Sequence, residues 1–287
     1  MTLPLPAKRN EKMKIQEAYH DLELTAQQQF LHISRNGAAE PAEGIGLLEH
    51  VIDVYINEVL TMKLICTAEH LAELVIGRML SEGMIAKAQD ITFIYVCEFG
   101  KRARVMLQNP AAPGSTAEHE TDYVETTQTC CTGNHILTDY FITHREIQPL
   151  RPIPWNAEWV FQLADRFARG TKVHQATVST HSCFLSHGEE LLFQCEDIGR
   201  HNALDKAIGY ALMRGIDLRQ CILYSSGRVS TDMAIKAIRA KVPILASKSQ
   251  ATMEAVRLAQ SYGLTLIAGA RPDSMKLLAG MPPIKPA

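Results

Sequence analysis

The chain has 287 residues, of which 46% are hydrophobic and 21% charged, and its formal net charge is −2. That describes an ordinary globular protein with enough apolar surface for two domains, or for one large domain with an appendage. No overall basic field draws it to nucleic acid or anionic lipid, so any recognition of phosphate must be local.

The first residues, Met1-Thr-Leu-Pro-Leu-Pro-Ala-Lys-Arg9, lack the apolar core of a signal peptide, and no later run is long and apolar enough to span a bilayer. Residues 1–44 are polar and rich in Gln, Glu and Ala. They read as an extension with an amphipathic helix from Met13 to Ile33 and a linker ending at Gly44. His50 to Asn57 and Val59 to Cys66 read as two strands joined tightly at Asn57-Glu58. Thr67 stands where an N-cap belongs, before an apolar-periodic helix from Ala68 to Ser81 that stops at Gly83. Strands follow at Ile91 to Cys97 and Ala103 to Leu107, then a Pro-rich loop from Gln108 to Glu120. Residues 45–150 therefore read as a smaller α+β domain.

Trp155 to Ala168 has helical periodicity and bridges to the second half. A hairpin turning at His187-Gly188 joins Ala176–Leu185 to Leu191–Cys195. Helices at 201–214, 230–240 and 250–262 then alternate with strands at 221–225, 243–246 and 264–268. Strands separated by helices of this length imply βα crossovers, so residues 151–287 read as an α/β domain with a largely parallel or mixed sheet.

Seven cysteines are scattered, odd in number and partly inside apolar runs. That pattern suits reduced thiols in the cytoplasm better than a disulfide framework, and no spacing of the zinc type appears, so no metal site is expected. Cysteines in apolar strands, such as Cys97, Cys195 and Cys221, read as inert core residues. Cys130 and Cys131 differ. They lie in the polar loop 125–135, next to Gly133, where an exposed thiolate can react.

In a sheet of this kind ligands bind at the carboxyl ends of the strands, where helix N-termini offer unpaired N–H groups and a positive dipole end. Four loops suit that position. The first, Glu196-Asp-Ile-Gly-Arg-His-Asn-Ala-Leu-Asp-Lys206, combines a turn at Gly199 with the planar fork of Arg200. His201, Asn202, Asp205 and Lys206 follow it into a helix. Asp205, four residues after His201, faces the same side and is placed to orient its imidazole. The second loop carries Ser226, Gly227 and Arg228. The third begins at Ser247, and the fourth comprises Gly269, Ala270, Arg271, Pro272, Asp273 and Ser274. Together they read as a site for an anionic ligand, with a structural helix cap as the plainer explanation of any single Ser or Thr.

With these residues in view, the chain resembles the FdhD family of formate dehydrogenase accessory sulfurtransferases after about residue 48. The markers are Ala68-Glu-His-Leu-Ala-Glu-Leu-Val-Ile-Gly-Arg-Met-Leu-Ser-Glu-Gly-Met-Ile85, the loop from Glu196 to Lys206, Ser226-Gly-Arg-Val-Ser230 and Pro243-Ile-Leu-Ala-Ser247. The resemblance implies a cytidine-deaminase-like three-layer sandwich for the C-terminal domain, and commonly a homodimer. It implies that a loop cysteine accepts sulfur as a persulfide from a cysteine desulfurase. That sulfur would pass to the bis-molybdopterin guanine dinucleotide cofactor before its insertion into formate dehydrogenase, with the segment Gly269 to Ser274 associated with the cofactor.

Two departures stand out. The family's loop typically reads Cys-Gly-x-Cys, whereas Cys130-Cys131-Thr132-Gly133 has no pair at that spacing. Either cysteine matches the first position, with Cys131 favoured because Cys130 then fills the small-residue place before it. Asp273 and Ser274 replace the usual Gly and Arg, which removes a cation. Three other readings compete. A zinc deaminase lacks both of its motifs here. A serine hydrolase would need Ser226, His201 and Asp205 to assemble without a Gly-x-Ser-x-Gly elbow. A non-catalytic chaperone would hold the cofactor without carrying sulfur.

Overall fold

The computed structural model describes residues 13–109, 126–127 and 147–284. The helix expected over Met13 to Ile33 does not form. Instead β1 (Lys14–Glu17) joins a sheet, and β2 (Thr25–Ile33) pairs antiparallel with β3 (Ala39–Leu47), the stretch expected as a linker. The Gln and Ala content that suggests a helix is overridden by pairing to β3 across a turn at Asn36-Gly37. There Gly37 has φ +87° and the Ala38 N–H donates to Asn36 Oδ1.

The first sheet also contains β4 (His50–Ile56), β5 (Val59–Cys66), β6 (Ile91–Val96), β7 (Arg102–Leu107) and β8 (Thr126–Thr127), in the order β1-β6-β7-β4-β5-β8. The β4–β5 hairpin turns at Asn57-Glu58, both at positive φ as a type I′ turn requires. Alternation with period two buries Ile52, Val54 and Ile56 of β4, Met62, Leu64 and Cys66 of β5, and Ala103, Val105 and Leu107 of β7. The buried face packs on α1 (Leu71–Ser81), every residue of which is buried. Thr67 does not cap this helix. His70 occupies the cap position, and the Leu71 N–H donates to the Tyr19 hydroxyl.

The second sheet comprises β9 (His181–His187), β10 (Glu190–Asp197), β11 (Ile222–Ser225), β12 (Ile244–Ser247), β13 (Thr265–Ala268) and β14 (Lys276–Ala279), in the order β10-β9-β11-β12-β13-β14. It is mixed rather than largely parallel: β11, β12 and β13 run parallel, and antiparallel strands flank them. The edge strand β14 carries no strong alternation and escapes a reading of the sequence. One face is covered by α2 (Ala157–Ala168), whose Val160, Leu163 and Ala164, with Trp155 before it, meet Phe184, Ile222, Tyr224 and Ile244. The other face is covered by α4 (Arg200–Arg214), α5 (Thr231–Arg239) and α6 (Met253–Tyr262). A short helix α3 (Lys172–Thr177) replaces the start of the hairpin strand expected from Ala176.

The two sheets are held together through α1 and α4, which cross with their backbones almost touching. A Cβ at Gly77 would lie 1.9 Å from the Asp205 carbonyl oxygen, and one at Gly209 would lie 1.9 Å from that of Glu73. Only hydrogen fits at either crossing point. A single core therefore runs from the first sheet through α1 and α4 to the second.

Candidate anion-binding rim

β10 and β11 both run antiparallel to β9, and β12 and β13 continue the direction of β11. The ends of β10, β11, β12 and β13 thus share one edge, and the four loops expected there do meet. Ser182 N–H donates to Ser226 Oγ at 3.0 Å, and Arg200 lies against Gly227, where a Cβ would stand 2.7 Å from the arginine's own. The second and third loops are tied by Ser247 Oγ donating to the Gly227 carbonyl at 2.7 Å and by Lys248 N–H donating to the Ser225 carbonyl at 3.0 Å. The third and fourth are tied by Gly269 N–H to the Ser249 carbonyl and Ala270 N–H to the Ser247 carbonyl. Ser274 closes the fourth loop by accepting the Arg271 N–H at 2.8 Å. The helices α4, α5 and α6 all start on this rim, and Arg228, Lys248 and Arg271 are exposed along it. The Lys248 ammonium also lies 4.8 Å from the Phe167 ring centroid. Converging helix N-termini and three cations, set against the one exposed carboxylate of Asp273 in the fourth loop, suit the edge to an anion.

The first loop divides its residues between rim and interior. Glu196 turns inward and accepts from Val173 N–H, His174 N–H, and the Thr171 and Thr180 hydroxyls, anchoring α3. Asp197 is fully buried. Its Oδ1 accepts from Gly199 N–H and Asn202 Nδ2, and its Oδ2 from Thr67 N–H, Thr67 Oγ1 and Lys206 Nζ. Lys206 Nζ lies 2.7 Å from both Asp197 Oδ2 and Thr67 Oγ1 and donates to the Glu196 carbonyl. Burial is the largest single influence on Lys206 and lowers its pKa, but the Asp197 carboxylate, acting together with the Cys66 and Cys195 thiols nearby, tips the balance and the pKa is raised.

His201 and Asp205 are not partners. Asp205 takes the buried Lys236 ammonium of α5 and the Ser81 hydroxyl of α1 at 2.6 Å, and the Lys236 pKa is lowered by its burial. The imidazole is instead met by Asp232, at the start of α5, with Nε2 3.1 Å from Oδ2. The reason is helical geometry: Asp205 points down toward α1, whereas His201 sits at the first turn, level with the start of α5. Burial drives His201 down to about 4, so the ring is neutral near pH 7. A neutral ring meets that carboxylate by donating from Nε2, which leaves Nδ1, buried and without a partner among the described residues, as an acceptor.

Of the residues singled out from the sequence, Gly199, Arg200, Ser226, Gly227, Arg228, Ser247 and Gly269 to Ser274 lie on the rim. His201 and Asn202 lie just beneath it, and Asp205 and Lys206 are interior framework. The hydrolase triad is not assembled, because Ser226 Oγ has His181 Nδ1 as its histidine neighbour, at 3.2 Å. Burial lowers the His181 pKa, with Arg200 adding to it. Cys130 and Cys131 lie outside the described residues, as does all of loop 125–135 except Thr126 and Thr127. Reading the sequence missed Thr67, Asp232 and Lys236. An Asp or Thr near a helix start looks like a cap, and a helical Lys looks solvated.

Residues 47–284 match the FdhD/NarQ family. The chain belongs to that family. Among its relatives, the sulfur carrier protein FdhD of Listeria monocytogenes is 26% identical over 247 residues, covering 85% of this chain and 93% of the relative. The sulfur carrier protein FdhD of Bacillus subtilis is 30% identical over 245 residues, covering 84% and 90%. A solved structure from Desulfotalea psychrophila, named for a formate dehydrogenase accessory role, superposes with a TM-score of 0.71 at 23% identity. It covers 90% of this chain and 98% of that one, which shows a shared fold. Among the described residues no helix is long and apolar enough to cross a membrane.

Proposed function

We propose that this chain is a cytoplasmic sulfur carrier that serves formate dehydrogenase, holding the bis-molybdopterin guanine dinucleotide cofactor as its substrate at the rim. The observation that carries the reading is the joining of four strand-end loops into one edge with three helix N-termini and exposed Arg228, Lys248 and Arg271. Such an edge fits pyrophosphate: N–H groups and guanidinium forks meet its oxygens, and no side-chain carboxylate of the first loop competes, since Glu196, Asp197 and Asp205 are turned inward. The names of the relatives supply the sulfur, and the helices on both faces of a mixed sheet support a cytidine-deaminase-like assignment for the C-terminal unit.

In this reading the thiolate of Cys131, or of Cys130, attacks the outer sulfur of a cysteine desulfurase persulfide. One S–S bond forms, the donor's S–S bond breaks, and the donor leaves as a thiolate, so no external oxidant or reductant is consumed. A homodimer is the expected assembly. Mass spectrometry after incubation with a cysteine desulfurase and cysteine tests the reading. One added sulfur on the peptide containing Cys130 and Cys131 supports it, and no addition, or one elsewhere, refutes it. The absence of a Cys-x-x-Cys pair favours one rival, a chaperone that holds the cofactor without carrying sulfur. The rival predicts unimpaired formate dehydrogenase maturation when both cysteines are changed to Ala.

A further inference from the structure

The β2–β3 ribbon is a sheet of two strands with no third among the described residues, and most of its side chains are exposed. A two-stranded ribbon by itself is marginally stable in water, and an open strand edge is a template for another strand. Its two edges differ. At one end the Leu48 N–H donates to the Leu24 carbonyl, and at the other the Ser34 N–H donates to the Ala38 carbonyl, each at 2.9 Å. The pairs in phase with these, from Ala26 with Gly46 to His32 with Glu40, exchange the main-chain bonds inside the ribbon. The odd-numbered residues of both strands therefore turn their N–H and C=O groups outward.

On β3 that outward row is interrupted. Pro41 lacks the N–H that would point out, Glu43 places a charge at the middle of the strand, and the strand also lies against α3. On β2 the row is open. Thr25 to Ile33 contains no Pro, Asp, Glu, Lys or Arg, and Leu31 and Ile33 stand 62% and 71% exposed. The strand is also complementary to itself. Its middle residue, Gln29, faces outward, so a second copy brought up antiparallel about that residue sets Gln29 against Gln29, Leu31 against Gln27 and Ile33 against Thr25. No like charges meet, and about ten main-chain hydrogen bonds form along the strand. The edge of β3 paired in the same way would set Glu43 against Glu43. We propose that β2 is a self-docking edge through which two copies of this chain join their ribbons into one four-stranded antiparallel sheet. The inference gives a surface to the homodimer expected above and stands independently of the sulfur-carrier reading.

Sedimentation equilibrium of the full-length chain tests the proposal. An edge about 30 Å long and about 10 Å deep buries roughly 600 Å² over both copies, less than the roughly 1,200 Å² of stable complexes. The dimer should therefore be reversible, forming by about 100 μM and dissociating on dilution. Gln27→Pro removes an outward N–H, as Pro41 does on β3, and costs each dimer two main-chain bonds. It should raise the dissociation constant about tenfold or more. Gln29→Lys sets two ammonium groups against each other at the centre, while Glu43, whose Oε1 lies 3.4 Å from Gln29 Nε2 across the ribbon, supports the new cation within each copy. It should weaken the dimer by about fivefold and covers the case in which the proline variant does not fold. Ala39→Lys, on the edge of β3, should leave the constant within about twofold of wild type. A wild type that stays monomeric at every loading overturns the proposal and the homodimer expectation together. A dimer that both β2 variants leave unchanged, or that Ala39→Lys weakens as much, overturns the proposal and leaves the homodimer standing.

Discussion

Replacing Gly209 with Ala tests the crossing on which the whole arrangement depends. The added Cβ would begin 1.9 Å from the Glu73 carbonyl oxygen, whereas ordinary contact begins near 3.4 Å, so α1 and α4 must part by about 1.5 Å. Overpacking of that kind costs about 1–3 kcal/mol. The same displacement would stretch the 2.6 Å hydrogen bond from Ser81 to Asp205 out of range, adding about 1.5–3 kcal/mol because its acceptor is charged. Against this, Ala gains about 1 kcal/mol over Gly in a helix interior. The net expectation is a loss of about 3 kcal/mol, read from urea unfolding followed by far-UV circular dichroism. Gly77→Ala should cost a similar amount, since its Cβ would meet the Asp205 carbonyl oxygen at the same 1.9 Å. The double variant should cost less than the sum, because helices already forced apart accommodate the second methyl more easily. A neutral or stabilising effect of either single change would show that the helices are not in backbone contact, and the reasoning would fail.

Two further outcomes follow from the buried charges. Asp205→Ala strands the Lys236 ammonium without its carboxylate and should lower stability by about 3–5 kcal/mol, whereas Asp205→Leu with Lys236→Met should recover most of that loss in the same unfolding assay. His201 carries a pKa of about 4 against an ordinary 6.5, so between those values the unfolded chain binds a proton that the folded chain refuses. Its contribution to stability is complete above about pH 6.5 and is lost as pH falls, by about 3 kcal/mol at pH 4. His201→Asn should flatten that part of the pH profile of urea midpoints; an unchanged slope would refute the depressed pKa.

The sequence is most legible where period and punctuation agree. The β4–β5 hairpin, α1, and the alternation from Arg200 to Ala268 are visible because apolar spacing and turn residues point the same way. The β2–β3 ribbon is not, because most of its residues are exposed and no apolar alternation records its pairing. Within the site the location of the rim could be read, but the division of labour in its first loop could not. Glu196, Asp197 and Lys206 look like ligand contacts beside Arg200. Their partners are Thr171, Thr180 and Thr67, which are far off in sequence or indistinguishable from ordinary caps. Likewise Asp205 stands at the spacing that suggests a partner for His201, and only the packing of α5 reveals Asp232 and Lys236 as the true pairings.

The loops of the rim are stitched to one another largely through main-chain atoms: Lys248 to Ser225, Gly269 to Ser249, Ala270 to Ser247. Main-chain bonds do not depend on which side chain is attached. Positions 228, 248, 271, 273 and 274 can therefore be rewritten by mutation while the frame keeps its shape. This chain already carries Asp273 and Ser274 where its family resemblance leads one to expect Gly and Arg, and Ser274 still closes its turn on Arg271. The edge is thus a mounting whose outward chemistry is free to drift, which makes it a natural place to evolve or engineer a change of anionic cargo without redesigning the protein beneath it.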